Sequence, residues 1–208
     1  TTTNANETLT NTSLIYGSFV HIDGSSIDSG HSLTFDATGL TGGYLYLQGG
    51  GGADTLKAAN AYSSVGSGEI SNRLFGGGGA DTLTGATDLG YADLFIYKTQ
   101  SQGGDTITNF TSGVDKLAFI KDIDGGDFGF NSTAAARSHV YSNLAAYNAA
   151  TGETGHSWYL NDTNNQLMYD ADGHAGVHTA QTMATLTGVS SIAPTDVIIV
   201  DASYNTIA

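Results

Sequence analysis

Cysteine is absent from this 208-residue chain, so it has neither a disulfide staple nor a thiolate nucleophile or ligand. Positive charge is scarce: 6 Lys and Arg stand against 20 Asp and Glu, a formal net charge of −14. So acidic a chain excludes nucleic acid and an anionic membrane surface as partners. No run of about 18 apolar residues occurs, which excludes a helical membrane span. A single proline beside 29 glycines separates the chain from collagen-like and proline-rich linker sequences. Catalytic signatures are missing as well. There is no H-E-x-x-H and no G-x-S-x-G, and Gly155-His156-Ser157-Trp158-Tyr159 lacks the second glycine of a nucleophile elbow. No enzymatic activity is expected. The chain opens Thr1-Thr2-Thr3, with neither a methionine nor a cleavable signal, and so reads as part of a longer protein.

Glycine is what the chain has in excess, and it concentrates in two corners. Gly49-Gly50-Gly51-Gly52-Ala53-Asp54-Thr55-Leu56-Lys57 returns 27 residues later as Gly76-Gly77-Gly78-Gly79-Ala80-Asp81-Thr82-Leu83-Thr84. Both copies fit G-G-x-G-x-D-x-U-x, where U is a large apolar residue. The interval equals three nonapeptides, and Leu47, Leu56, Val65, Leu74 and Leu83 recur every nine residues through it. Residues 58–66 and 67–75 therefore read as degenerate units that kept the inward apolar side chain and lost the glycine turn. Five coil turns are expected. Glycine allows left-handed backbone and close approaches that a Cβ forbids, at an entropic cost of roughly 0.5–1 kcal/mol each. A hard cation can offset that cost, because Ca²⁺ takes about six to eight oxygen ligands from carboxylates and backbone carbonyls. The motif's Asp supplies the first kind of ligand and its glycine turns supply the second. The x-U-x tail forms a short strand with its apolar residue pointing inward.

This nonapeptide resembles the hemolysin-type calcium-binding repeat of RTX proteins. Further segments extend the likeness over roughly residues 40 to 120. Tyr91-Ala92-Asp93-Leu94-Phe95-Ile96-Tyr97 is similar to the closing repeat of such domains. Gly103-Gly104-Asp105-Thr106-Ile107-Thr108-Asn109-Phe110 and Gly113-Val114-Asp115-Lys116-Leu117 resemble the segment that follows it in serralysin-type C-terminal domains. The segments 166–173, 183–189 and 195–200 resemble the ending of RTX exoproteins exported by type I secretion. The resemblance implies Ca²⁺ as cofactor. Its ligands would be the side chains of Asp54, Asp81, Asn72, Asp93 and Asp105, with carbonyls from corners that hold Gly50, Gly52, Gly77 and Gly79. In family rolls two nonapeptides make one coil, so ligands stack two units apart. That register sets Asp54 on Asn72 and turns Asp81 toward Ser63.

The expected fold is all-β: a parallel β-roll or β-solenoid with an antiparallel C-terminal cap and one short α-helix. Residues 1–48 form an N-terminal β segment that caps or extends the roll, residues 49–119 the roll itself, and residues 120–208 the cap with its secretion-linked β segment. In the first segment Leu14–Tyr16, Ser18–Ile22, Leu33–Phe35 and Tyr44–Leu47 read as strands between Gly, Asn and Asp turns. Apolar residues at near-helical spacing predict one helix over Thr133–Asn148, with Asn131 or Ser132 as N-cap and Gly152 as its stop. Trp158–Leu160 and Gln166–Tyr169 flank a polar turn and predict a β-hairpin. Strands near 181–187 and 196–201 complete an antiparallel tail.

Two acidic clusters outside the repeats have two readings each. Asp122, Asp124 and Asp127 have the carboxylate density of a calcium loop but lack the Glu of an EF-hand, and otherwise form a solvated turn. Asp170 and Asp172 beside Gly173 form either a second kind of calcium loop or a plain hairpin turn. His174 and His178 stand four apart among glycines, where no helix brings them onto one face, and read as ordinary surface histidines. The expected function is a secreted calcium-binding module that folds on meeting Ca²⁺ outside the cell, with the type I secretion machinery as partner. Two alternatives stand beside it. One is an S-layer or adhesin domain whose calcium drives self-assembly at the cell surface; the other is the non-catalytic C-terminal module of a secreted hydrolase.

Overall fold

The computed structural model describes residues 7–10, 19–40, 44–60, 70–87, 91–121, 128–130, 132–203, 206 and 207. The expected strand Leu14–Tyr16, the acidic run 122–127, and Ser63, Val65 and Asn131 lie outside the described residues. The strands β1 (Glu7–Thr10), β2 (Phe19–Asp23), β3 (Leu33–Asp36), β4 (Tyr44–Gln48) and β5 (Thr55–Lys57) are followed by β6 (Ile70–Phe75), β7 (Thr82–Thr84), β8 (Ala92–Tyr97), β9 (Asp105–Thr108) and β10 (Lys116–Ile120). They alternate between two sheets, odd-numbered strands in one and even-numbered strands in the other. Each strand pairs in parallel with its counterpart one coil on. The chain is therefore a parallel two-sheet β-solenoid, and β1 to β4 belong to the same winding as the glycine corners.

Leucine sets the interior. Leu47, Leu56, Leu74 and Leu83 are each fully buried, and burial of one such side chain stabilises the fold by roughly 1.5–3 kcal/mol. Their nine-residue phase carries a different meaning from the one expected. Leu47 pairs with Leu74 in the even sheet, and Leu56 with Leu83 in the odd sheet. The ladder thus alternates between sheets and covers β4 to β7, two coils where five turns were expected. Thr55 pairs with Thr82 as one coil on the next, and the described residues of 58–75 supply the strand β6 where two further rungs were expected.

The C-terminal third closes the coil at one end. It contains α1 (Thr133–Arg137), β11 (Val140–Tyr141), α2 (Leu144–Ala149), β12 (Ser157–Asn161), β13 (Gln166–Asp170), β14 (Gln181–Leu186) and β15 (Val197–Val200). The expected hairpin is present as β12 and β13, and β14 continues it in antiparallel fashion. β14 then docks in parallel on β9, and β15 in parallel on β10, so both solenoid sheets run on into the cap. The last strand therefore departs from the antiparallel tail expected of it.

The single expected helix is two short ones. Ser132 accepts the Ala135 N–H and caps α1, while Asn143 accepts the Ala146 N–H at 2.8 Å and caps α2. An N-cap side chain in mid-helix offers the backbone a local partner that competes with the helical bond, and Val140 leaves to pair with Trp158. Trp158, fully buried, packs against Phe119, Phe130 and Tyr169 at centroid distances of 4.8, 4.9 and 5.4 Å. This aromatic cluster joins cap to roll. Among the described residues no helix is long and apolar enough to cross a membrane.

At Gly77 and Gly104 the backbone has φ of +104° and +101°. A Cβ at Gly77 would lie 2.1 Å from the Gly50 carbonyl oxygen, whereas one at Gly104 would meet nothing within 4 Å. Gly104→Ala is expected to cost only backbone strain, on the order of 1–3 kcal/mol. Gly77→Ala must also separate two stacked corners and should cost clearly more in urea unfolding. Equal costs would show that the corners are not in contact.

Candidate metal centre

The turns that lead into β5, β7 and β9 each end on an aspartate that enters the coil. Asp54 precedes β5, Asp81 precedes β7 and Asp105 opens β9, and all three are about 2% exposed. Their carboxylates interlock through the backbone. Oδ1 of Asp54 accepts the Leu33 N–H at 2.6 Å, Oδ1 of Asp81 accepts the Asp54 N–H at 2.8 Å, and Oδ1 of Asp105 accepts the Asp81 N–H at 2.9 Å. Each donor occupies the equivalent position one coil earlier. The steps are 21, 27 and 24 residues.

Asp54 therefore stacks on Asp81, and the expected pairing of Asp54 with Asn72 does not occur. Asn72 lies in β6 of the opposite sheet, because a full coil intervenes between the two motifs. There it begins a second row. Its Nδ2 donates to Asp93 Oδ1 at 2.7 Å and to the Ala59 carbonyl at 3.0 Å, and the Asp93 N–H donates to Asp115 Oδ1 at 2.9 Å. The structure thus brings Asp54, Asp81 and Asp105 into one row and Asn72 and Asp93 into another. The glycine corners stack too: a Cβ on Gly77 or Gly79 would lie 2.1 or 2.6 Å from the carbonyl oxygen of Gly50 or Gly52.

Most of these carboxylates also close their own turn. Oδ2 of Asp54 accepts the Gly50 N–H at 2.6 Å, Oδ2 of Asp93 that of Ala86 at 2.6 Å, and Oδ2 of Asp115 that of Thr111 at 2.7 Å. Asp81 is different. Its Oδ2 is buried without a hydrogen-bond partner. Gly77, four residues before it, has the left-handed φ of +104°, and its N–H does not reach the carboxylate.

Burial governs the protonation of the row. It pushes the carboxyl groups of Asp81 and Asp105 up to about 7, opposed by the N–H donors and reinforced by the neighbouring carboxylate. The same burial raises Asp54 and Asp115. Taking a carboxylate out of water without a counter-charge is costly.

A hard cation fits the Asp81–Asp105 step by chemistry: the donors are carboxylate and carbonyl oxygens, with no sulfur or nitrogen. Two observations support the fit. One is the partnerless Asp81 Oδ2. The other is the close approach of glycine backbone to the carboxylates, since a Cβ at Gly76 would lie 2.0 Å from Asp81 Oδ2. Asp54 fits less well, because both its oxygens already accept N–H donors. Among the described residues no three His, Asp or Glu side chains converge on one point, so backbone carbonyls must supply much of any shell.

Three residues of quoted motifs were not among the expected site residues. Asp115 extends the second row. Asp196, fully buried, accepts from Ser112 Oγ and the Gly113 and Ala193 N–H groups at 2.7 to 2.8 Å, and fastens the turn before β15 to the turn before β10. Both precede an apolar run as Asp93 precedes Leu94–Tyr97, and that pattern was their signal. Tyr97 had no signal. Its hydroxyl faces the Asp105 carboxyl group, with Asp81 nearby, yet makes no hydrogen bond of ordinary geometry. No family model matches the chain, and no curated protein resembles it significantly in sequence.

The raised carboxyl groups fix the sign of a pH effect in metal-free protein. A group with a folded value of about 7 against an ordinary 3.8 holds its proton more tightly when folded. The resulting stability is complete below about pH 4, declines as pH rises, and is gone above about pH 7. In chelator, thermal unfolding should occur at a higher temperature at pH 5 than at pH 8. A midpoint that rises from pH 5 to pH 8 would contradict the burial of uncompensated carboxylates.

Proposed function

We propose that this chain is a calcium-responsive β-roll module of the RTX type, without catalytic activity, from a secreted bacterial protein. The partnerless buried Oδ2 of Asp81, in a row of stacked carboxylates, carries the reading. A buried carboxylate oxygen with neither a cation nor a donor beside it calls for a ligand. Lys and Arg are too few to serve, at 6 against 20 acidic residues. Ca²⁺ would be held by Asp81 and Asp105 with corner carbonyls, and by Asp93 with Asn72 where a second row offers fewer free oxygens. Bound there, it supplies the positive charge that the buried row lacks.

The proposed role follows from where calcium is found. Inside the cell free Ca²⁺ lies far below the roughly 10⁻⁴–10⁻³ M affinities of extracellular modules. The carboxylates then repel, the glycine corners stay open, and the chain remains suited to passage through the type I secretion machinery. Outside, Ca²⁺ at about ten times its Kd adds about 1.4 kcal/mol per site. Binding free energy then acts as folding free energy.

Circular dichroism during a calcium titration tests the reading. The β signal and the unfolding temperature should both rise through the millimolar range at pH 7.5, and magnesium should substitute poorly. A spectrum that is fully folded and unaltered in excess chelator would refute it.

A further inference from the structure

The two glycine nonapeptides are identical through their first eight residues, yet their aspartates meet different surroundings. Asp54 is satisfied by the protein alone: Leu33 and Gly50 donate to its two oxygens. Asp81 receives one donor, from Asp54, and its other oxygen has none. The backbone explains the difference. Gly77 and Gly79 take φ of +104° and +98°, whereas Gly50 and Gly52 stay outside the left-handed region. The first corner rests on residues 24–31, with the Gly51 N–H donated to the Ile27 carbonyl at 2.8 Å. The second rests on the first.

A second buried oxygen without a partner lies on the far side of the same step. Tyr97 ends β8 in the opposite sheet, is 1% exposed, and stacks on Phe119 at 5.7 Å. Its hydroxyl crosses the interior toward Asp105 and Asp81 and makes no hydrogen bond of ordinary geometry. Asp105 opens β9, and it stands opposite Ala184 of β14 in the cap. The step between Asp81 and Asp105 therefore holds two orphaned buried oxygens, one from each sheet, beside the strand on which the cap docks.

We infer that the two repeats divide their roles: Asp54 is a metal-independent fastener, and the cation-requiring site is the Asp81–Asp105 step, with Tyr97 as its positioning residue. The inference rests on the calcium reading given above. With a cation on the carboxylates, the Tyr97 hydroxyl donates to Asp105 and holds it toward the site. Occupancy then joins both sheets at the coil adjoining the cap, so the cap is ordered by the second repeat and not by the first.

Isothermal titration of the full chain with calcium alone, together with bound-metal analysis, tests this on three variants. Asp81→Asn keeps the oxygen that accepts the Asp54 N–H, and it should bind one calcium fewer. Asp54→Asn should keep the full stoichiometry and affinity but lower the unfolding temperature in saturating calcium, because the Gly50 N–H loses its acceptor. Tyr97→Phe removes a hydroxyl that faces Asp105 without a hydrogen bond of ordinary geometry. It should leave the metal-free spectrum unchanged and weaken calcium binding about tenfold, as loss of an outer partner of a metal ligand commonly does. Loss of one calcium from Asp54→Asn as well as from Asp81→Asn would overturn the division of roles, and unaltered affinity in Tyr97→Phe would overturn the positioning role. No calcium binding by the unsubstituted chain would instead remove the underlying reading and the inference with it.

Discussion

The structure depends on one interaction: a buried carboxylate at the junction of turn and strand, accepting the backbone N–H of the equivalent residue one coil away. In a parallel solenoid the turns leave N–H groups at the strand starts with no ladder partner, and a buried N–H cannot be left unpaired without loss of stability. Asp54, Asp81, Asp105 and Asp115 answer that need in turn. The same side chains bring negative charge into the interior. The coil is thus locked by groups whose ionised form it disfavours, and this tension ties its stability to pH.

The device is reused where the repeats end. Asp196 ties the turn before β15 to the Thr111–Gly113 turn much as the repeat aspartates tie one coil to the next. A chain that leaves the roll after β10, builds two short helices and a hairpin, and returns as β14 and β15 therefore adds strands to the same two sheets. The aromatic cluster around Trp158 fills the space where the leucine ladder stops. Cap and roll share one interior, so order in the last coil bears directly on order in the cap.

Local features were legible in the residues. The glycine corners, the aspartate that follows them, the inward leucines and the β12–β13 hairpin each depend on neighbours a few positions away. The Asp54–Asn72 pairing failed because coil length is set by the connections: the successive Asp-to-Asp steps of 27 and 24 residues are both longer than two nonapeptides. The helix from 133 to 148 failed for a related reason. Its apolar spacing was real, but Asn143 caps a new helix inside it and Val140 finds a strand partner in Trp158.

By itself, then, the amino-acid order determined that this is a glycine-turned, aspartate-bearing parallel coil with an acidic surplus and an apolar lining, because those properties are written in short repeats and in composition. Only the tertiary structure decided which aspartates meet. It also decided that two copies of one motif differ, and that a tyrosine from the opposite sheet faces Asp105 with Asp81 nearby. Such contacts join residues 20 or so positions apart through the winding of the coil, and the two φ angles that separate Gly77 and Gly79 from Gly50 and Gly52 are set by the surface on which each corner rests.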